Sequence, residues 1–224
     1  MIRLVSYTKP TEEFVKEGIS NDDLLDLVAF CARVSNPANQ MNSETSEKLV
    51  KYLIKHAHWS PLEMVNVCME IDTTRDIAHQ IVRHRSFAFQ EFSQRYANPQ
   101  EMGDMFVKRE ARLQDDKNRQ NSIETDDERL QMMWDSKQGE VIRAAQDAYN
   151  WAIENGIAKE QARAVLPEGL TKTRLYMNGT LRSWIHYIEL RGANGTQKEH
   201  MDIAHACAVV IAKIFPLAEE LKGA

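Results

Sequence analysis

Residues 65–71, VNVCMEI, alternate without a break: Val65, Val67, Met69 and Ile71 face one way, Asn66, Cys68 and Glu70 the other. A period of two places every apolar side chain on one face of a strand. This stretch therefore reads as a strand with one face against a core. The next residues, TTRDIAHQIVRHR, change to a helical period, with a Thr73…Asp76 capping pattern and Ile77, Ile81 and Val82 on one face. SPLE at 60–63, just upstream, offers Ser60 as N-cap, Pro61 at the first helical position and Glu63 to complete a capping box, a short turn only. IRLVSY (2–7) reads as an opening strand.

Elsewhere the helical period dominates. Leu24, Leu25, Val28, Cys31 and Ala32 mark a helix over Asp22–Val34, with Asn21 and Asp22 as caps. A second, over Ser43–Ala57, buries Leu49, Tyr52, Leu53 and His56. Further helices are predicted over Gly139–Asn155, Lys159–Leu166, 180–190 and Glu199–Phe215, the last burying Ile203, Ala206, Cys207, Val210, Ile211 and Ile214. Residues 108–135 carry six basic and eight acidic side chains with little apolar periodicity, and read as a solvated helix or a mobile excursion. Mostly helices with a few strands, and no βαβ alternation, predict an α+β fold with helices packed on a small, mostly antiparallel sheet. No internal repeat or linker divides the 224 residues, so 1–224 is read as a single domain.

A net charge of −5 disfavours a general nucleic-acid binder. No apolar run approaches the roughly 20 residues of a membrane span, and MIRLVSYTKP lacks the apolar stretch of a secretory signal. Cys31, Cys68 and Cys207 are scattered among apolar neighbours, which reads as buried free thiols in a reducing, cytoplasmic compartment. There is no CxxC, and His200 and His205 are five apart, so no metal site is expected.

Against this acidic background, RHRSFAFQEFSQR (83–95) concentrates Arg83, His84, Arg85 and Arg95 among Phe87, Phe89 and Phe92. Guanidinium groups grip phosphate or carboxylate through a planar fork and stay charged. Serine hydroxyls and backbone N–H groups complete such a shell. Glu91 cannot bind phosphate, so it accepts from a sugar hydroxyl or holds an arginine in place. A plain surface helix end is the bland alternative. The phenylalanines argue against it, because they pin the arginines near a wall.

Arg83-His84-Arg85, seven residues, then Ser93-Gln94-Arg95-Tyr96 resembles the signature of the flavin-dependent thymidylate synthases. CARVSNP (31–37), HAHWSPLE (56–63), QARAVLP (161–167) and the RSxxHxxxxR pattern at 182–191 resemble further segments of that family, in order. The resemblance implies reductive methylation of dUMP to dTMP, with methylenetetrahydrofolate as carbon donor, reduced FAD as hydride donor and NADPH re-reducing the flavin. It also implies a homotetramer with active sites at subunit interfaces and no covalent cysteine.

Carried over by motif, Gln80, Arg83, Glu91, Ser93, Gln94, Arg95, Arg163 and Arg191 surround dUMP. Arg191 is the catalytic cation: it draws electron density toward the N3/carbonyl edge of the uracil, so that C5 becomes a nucleophile without an enzyme thiolate. Ser93, the other residue placed at the reacting end, serves as phosphate ligand or hydroxyl donor rather than as nucleophile. Arg83, His84 and Arg85 lie against the flavin, with Glu91 beside them. His58 and Ser60 reach it from a different subunit, with Glu63 in support. Arg182 and His186, one helical turn apart, face it too, together with either Asn178 or Thr180. His56 reads as a packing histidine and His79 as solvent-facing. The segment GANGTQ after Arg191 departs from the family pattern, though Gln197 still aligns. The charged stretch 108–135 reads, in this light, as a lid or an intersubunit arm.

Two other readings stand beside this one. A homologue that binds flavin and nucleotide but has lost catalysis predicts loss of Arg191 or of the RHR arginines, and all are present. A nucleic-acid module using the Arg/Phe segment for stacking is disfavoured by the acidic balance and by the spread of the arginines along the chain.

Overall fold

The computed structural model describes residues 1–21 and 24–221. In chain order the elements are β1 Ile2–Tyr7, α1 Glu12–Lys16, α2 Leu25–Ala32, α3 Ser46–Lys55, β2 Asn66–Thr74, α4 Arg75–Ile81, β3 Ala88–Glu91, β4 Arg112–Gln114, β5 Ser122–Glu124, α5 Glu128–Glu154, α6 Lys159–Ala162, β6 Lys172–Thr180, α7 Leu181–Gly192 and α8 Lys198–Ile211. The main sheet runs β1-β2-β6-β3, antiparallel throughout. The fold is α+β, with helices packed on one face of this small sheet.

The alternating stretch 65–71 does what its period requires. Val65, Val67, Met69 and Ile71 are fully buried, and Leu175 and Met177 join them from β6. Helices α7 and α8 cover this face with Trp184, Ile185, Ile188, Ala204 and Ile211. Burying side chains of this size contributes about 1.5–3 kcal/mol each. The Trp184 indole donates to the Val67 carbonyl at 3.0 Å, which satisfies the buried N–H and ties α7 to β2. On the opposite face Glu70 is only 3% exposed. It accepts from Arg3 Nε at 2.8 Å and from Tyr176 Oη at 3.0 Å, so its charge is paired where water is excluded.

Several expected boundaries shift. The helix expected over 22–34 is α2, its N-cap is Leu24 rather than Asn21, and Asp22 lies outside the described residues. In α3 the buried residues are Val50 and Leu53; Tyr52 is 51% exposed and His56 is exposed, because the helix presents its Ser46/Val50/Leu53 stripe to the core. His56 stacks on Tyr52 at 4.2 Å and is no core histidine. The SPLE turn is a 3-10 turn, Ser60–Met64, with no side-chain cap, and Glu63 pairs with Arg182 instead. Cys31 and Cys68 are only partly buried, and Cys207 alone is fully so. Ala206 and Val210 on α8 and Val82 beyond α4 are likewise not fully buried. Residues 108–135 hold the β4–β5 hairpin and the first turns of α5.

Strand β6 was not anticipated. Its Thr173, Leu175, Met177 and Gly179 are buried and Arg174, Tyr176 and Asn178 are not, the same period of two as in β2. Gly179 takes part because a Cβ there would overlap the Phe87 ring. That close approach seats Phe87 against Trp184, 4.9 Å between centroids, and so fixes the loop after α4.

Candidate active site

Helix α4 ends at Ile81, and the chain turns through Arg83-His84-Arg85 into β3. Arg83 and Arg85 are exposed and form no ion pair among the described residues. His84 is partly buried and accepts from Arg191 Nε at 2.9 Å. Burial first, then the Arg191 charge, push its pKa down to about 4, so the ring is neutral near pH 7. Accepting at Nε2 places its proton on Nδ1. Arg191, in the last turn of α7, is thus oriented by a neutral ring, and no carboxylate pairs with it among the described residues. Its two terminal nitrogens have no partner among the described residues. Gln80 completes this group through hydrogen bonds to Gln197 at 2.8 Å and to His200 at 3.2 Å.

A second group forms where α7 begins. Glu63 pairs with Arg182, and the Trp59 ring meets His186 edge-on at 4.4 Å. Ala57, at φ 56°, ends α3 in the left-handed region, and His58 N donates back to Leu53 O at 2.8 Å. The turn leaves His58 and Ser60 exposed beside the pair. Ser183 Oγ donates to the Ser86 carbonyl at 3.2 Å, which joins this group to the RHR loop. The Thr180 hydroxyl caps α7 by accepting from Ser183 N at 3.3 Å, whereas Asn178 is exposed on the outer face of β6.

The remaining residues separate. Glu91 accepts from Arg75 Nη1 at 3.1 Å and from Thr173 Oγ1 at 2.9 Å, so it holds an arginine in place. Arg95 and Arg163 meet at Glu160: Arg95 Nη2 lies 3.5 Å from its carboxylate, and Arg163 Nε donates to its carbonyl at 3.3 Å. Between Glu91 and Arg95, Ser93 is partly buried. Gln94 is 3% exposed, with a buried Nε2 that donates to nothing. A buried orphan donor costs about 1–3 kcal/mol unless a ligand supplies an acceptor.

A cleft of about 760 Å³, lined by residues including Asp72, Lys108, Arg112, Thr173, Arg174 and Glu199, contains none of the predicted site residues but borders them: Thr173 donates to Glu91, and Glu199 accepts from Gln197, the partner of Gln80. Many of its charges answer one another: Arg174 Nε lies 2.6 Å from Asp72, and Lys198 Nζ 2.8 Å from Glu110. Among the described residues no group of three His, Cys, Asp or Glu side chains is arranged to hold a metal, and no helix is long and apolar enough to cross a membrane.

Sequence reasoning passed over Arg75 and Tyr187, and weighed His200 only as a metal ligand. His200 was legible: it precedes Ile203 and Cys207 by three and seven residues, on the buried stripe of α8. Arg75 carried no signal, because its partner is sixteen residues away on another element.

Among solved structures, this architecture is shared with a UMP/dUMP methylase from Streptomyces cacaoi, bound with 5-Br dUMP: TM-score 0.78, 23% identity, covering 99% of this chain and 93% of that one. That likeness defines the fold class. Residues 19–217 match the family described as thymidylate synthase complementing protein. A probable flavin-dependent thymidylate synthase of Paramecium bursaria Chlorella virus 1 is 50% identical over 214 residues, 96% of this chain and 94% of the relative. A flavin-dependent thymidylate synthase of Synechocystis sp. is 46% identical over 215 residues, 96% and 95% respectively. The chain belongs to the family of flavin-dependent thymidylate synthases.

Proposed function

We propose that this protein methylates dUMP reductively to dTMP, taking the carbon from methylenetetrahydrofolate, with NADPH as the source of reducing equivalents. FAD, when bound and reduced, supplies the hydride. The observation that carries this reading is Arg191: a guanidinium aimed by a neutral histidine and neutralised by no carboxylate among the described residues. Such a cation beside the N3/carbonyl edge of a uracil stabilises the enolate-like, electron-rich form of the ring from which C5 attacks. Its fork and fixed position cost nothing to reorganise during the step.

The thiols support the same chemistry. Burial raises the pKa of Cys31, Cys68 and Cys207, so each stays protonated and is a poor nucleophile. A route that activates C5 electrostatically needs none of them.

In this reading Arg95 and Arg163, already drawn together at Glu160, take the phosphate, with Ser93 and Arg83 completing the shell. Gln80 and Arg191 face the base, the Gln94 donor joins the nucleotide's acceptors, and Glu91 keeps Arg75 and the start of the segment in place. His58, Ser60, Arg85, Arg182 and His186 fit the flavin: exposed and half-buried donors and cations around aromatic edges suit an anionic, ring-bearing cofactor. Of the two candidates on β6, the free Asn178 amide suits that role better than Thr180, whose hydroxyl already caps α7. Arg191 and His84 bring the two groups into contact, yet His58, Ser60, Arg83 and Arg85 stand exposed in one chain, which favours sites completed between subunits of a homotetramer. Nucleic acid and membrane are not partners in this account, and three free thiols suit the cytoplasm.

The test is product formation. FAD-loaded protein given dUMP, methylenetetrahydrofolate and NADPH is expected to yield dTMP, and omission of any one component abolishes it. dTMP formed without FAD would refute the proposal. Flavin and dUMP bound without turnover would favour the inactive-homologue reading.

A further inference from the structure

The Gln80 side chain is one link in a hydrogen-bonded chain whose direction is fixed by a carboxylate at one end. Arg112, on β4, donates through Nη2 to Glu199 Oε1 at 2.5 Å. Glu199, on α8, can only accept, so the Gln197 Nε2 found 2.9 Å from its Oε2 is the donor. Gln197 therefore turns its Oε1 to Gln80, which donates through Nε2 at 2.8 Å. That leaves Gln80 Oε1 facing His200 Nδ1 at 3.2 Å, and Nδ1 must carry the proton. His200 Nε2 is then an acceptor and takes the Tyr187 hydroxyl at 3.1 Å. Tyr187 and His200 are 1% and 0% exposed, so water cannot substitute for either partner. Burial, with Arg191 and His84 nearby, also pushes the His200 pKa down to about 3 and keeps the ring neutral.

A glutamine held this way has one N–H and one lone pair left, and cannot exchange its two ends. Uracil and cytosine differ in that respect: uracil offers a carbonyl at C4 and an N–H at N3, cytosine an amino group and a bare ring nitrogen. We propose that Gln197, Glu199 and His200 are positioning residues that lock the Gln80 carboxamide in the orientation complementary to uracil, and so make the protein reject cytosine nucleotides. This rests on the reading that Gln80 faces the pyrimidine. Each link after Glu199 is reversible in principle. Amides turn over, and His200 can move its proton to Nε2 and donate to Tyr187. Only the acceptor-only carboxylate forbids the reversed chain. Glu199→Gln removes that prohibition while keeping the shape.

The experiment titrates dUMP and dCMP into FAD-loaded protein, following the flavin spectrum, for the parent and for Glu199→Gln, Arg112→Gln and Gln80→Ala. The parent is expected to favour dUMP. Glu199→Gln should lower that preference about tenfold or more, partly by admitting dCMP. Arg112→Gln loses the same ion pair but leaves the carboxylate, so its preference should match the parent. In spectra of 15N-histidine-labelled protein His200 should be the Nδ1–H tautomer. A folded Glu199→Gln protein with unchanged preference overturns the inference, as does an Nε2–H tautomer in the parent, which is decisive even if Glu199→Gln does not fold. An equal loss of preference in Arg112→Gln also overturns it, since the ion pair and not the polarity would then matter. Unchanged dUMP affinity in Gln80→Ala removes the underlying reading instead, because Gln80 would not touch the base.

Discussion

Arg191 shows how a single side chain acquires a task from its neighbours. Its Nε is spent on His84, and its two terminal nitrogens remain. Lysine offers a compact charge that cannot keep the His84 contact and present a fork at once. Arg191→Lys is expected to retain flavin and lose dTMP formation by about 10²–10³ in kcat, the usual effect of removing one positioned donor from a developing charge. Full activity would take Arg191 out of the mechanism. Arg95→Ala should raise the dUMP requirement about tenfold, the effect of one charged contact, and leave the flavin spectrum unchanged; lost flavin would contradict the division between the two ligands. The buried histidines predict a pH dependence of stability. Their folded pKa values, about 4 for His84 and about 3 for His200, lie below the ordinary 6.5. The unfolded chain then binds more protons between those limits, so stability rises with pH and is lost as pH falls below 6.5. The contribution is at most about 3 kcal/mol for His84 and about 5 kcal/mol for His200. The melting midpoint should already fall between pH 7 and 5, where carboxylates are still mostly ionised. A flat profile there would mean that the rings are hydrated.

At the scale of elements, β6 is the hub: it pairs with both β2 and β3, carries Asn178 and feeds into α7. Gly179 lets the Phe87 ring approach its backbone. Gly179→Ala should cost about 1–3 kcal/mol by overpacking and displace the RHR loop, seen as a lower melting midpoint together with weaker FAD retention. Normal retention would mean that the loop is positioned by something else. β2 was legible because its alternation is strict and its apolar residues large. β6 has the same period, but Thr173 and Gly179 stand where apolar side chains would announce it, and α7, which follows directly, has a helical period. The RHR segment and Arg191 were legible as chemistry. Their partners were not: His84 finds Arg191 and Gln80 finds His200 from more than a hundred residues away, a distance only the fold closes.

For the whole molecule, the account needs several chains. Arg191, assigned to the nucleotide, touches His84, assigned to the flavin, while His58, Ser60, Arg83 and Arg85 stand exposed. In sedimentation followed at flavin wavelengths, the cofactor should travel with the tetramer and be released on dilution to smaller species; flavin held by a monomer would contradict shared sites. The account's central claim is that FAD and dUMP occupy one site. Its most direct test is the visible spectrum of protein mixed with FAD and gel-filtered, recorded again after dUMP is added. A retained flavin band that shifts with dUMP is the predicted result. A retained band that dUMP leaves unmoved, or no retained flavin at all, would contradict it.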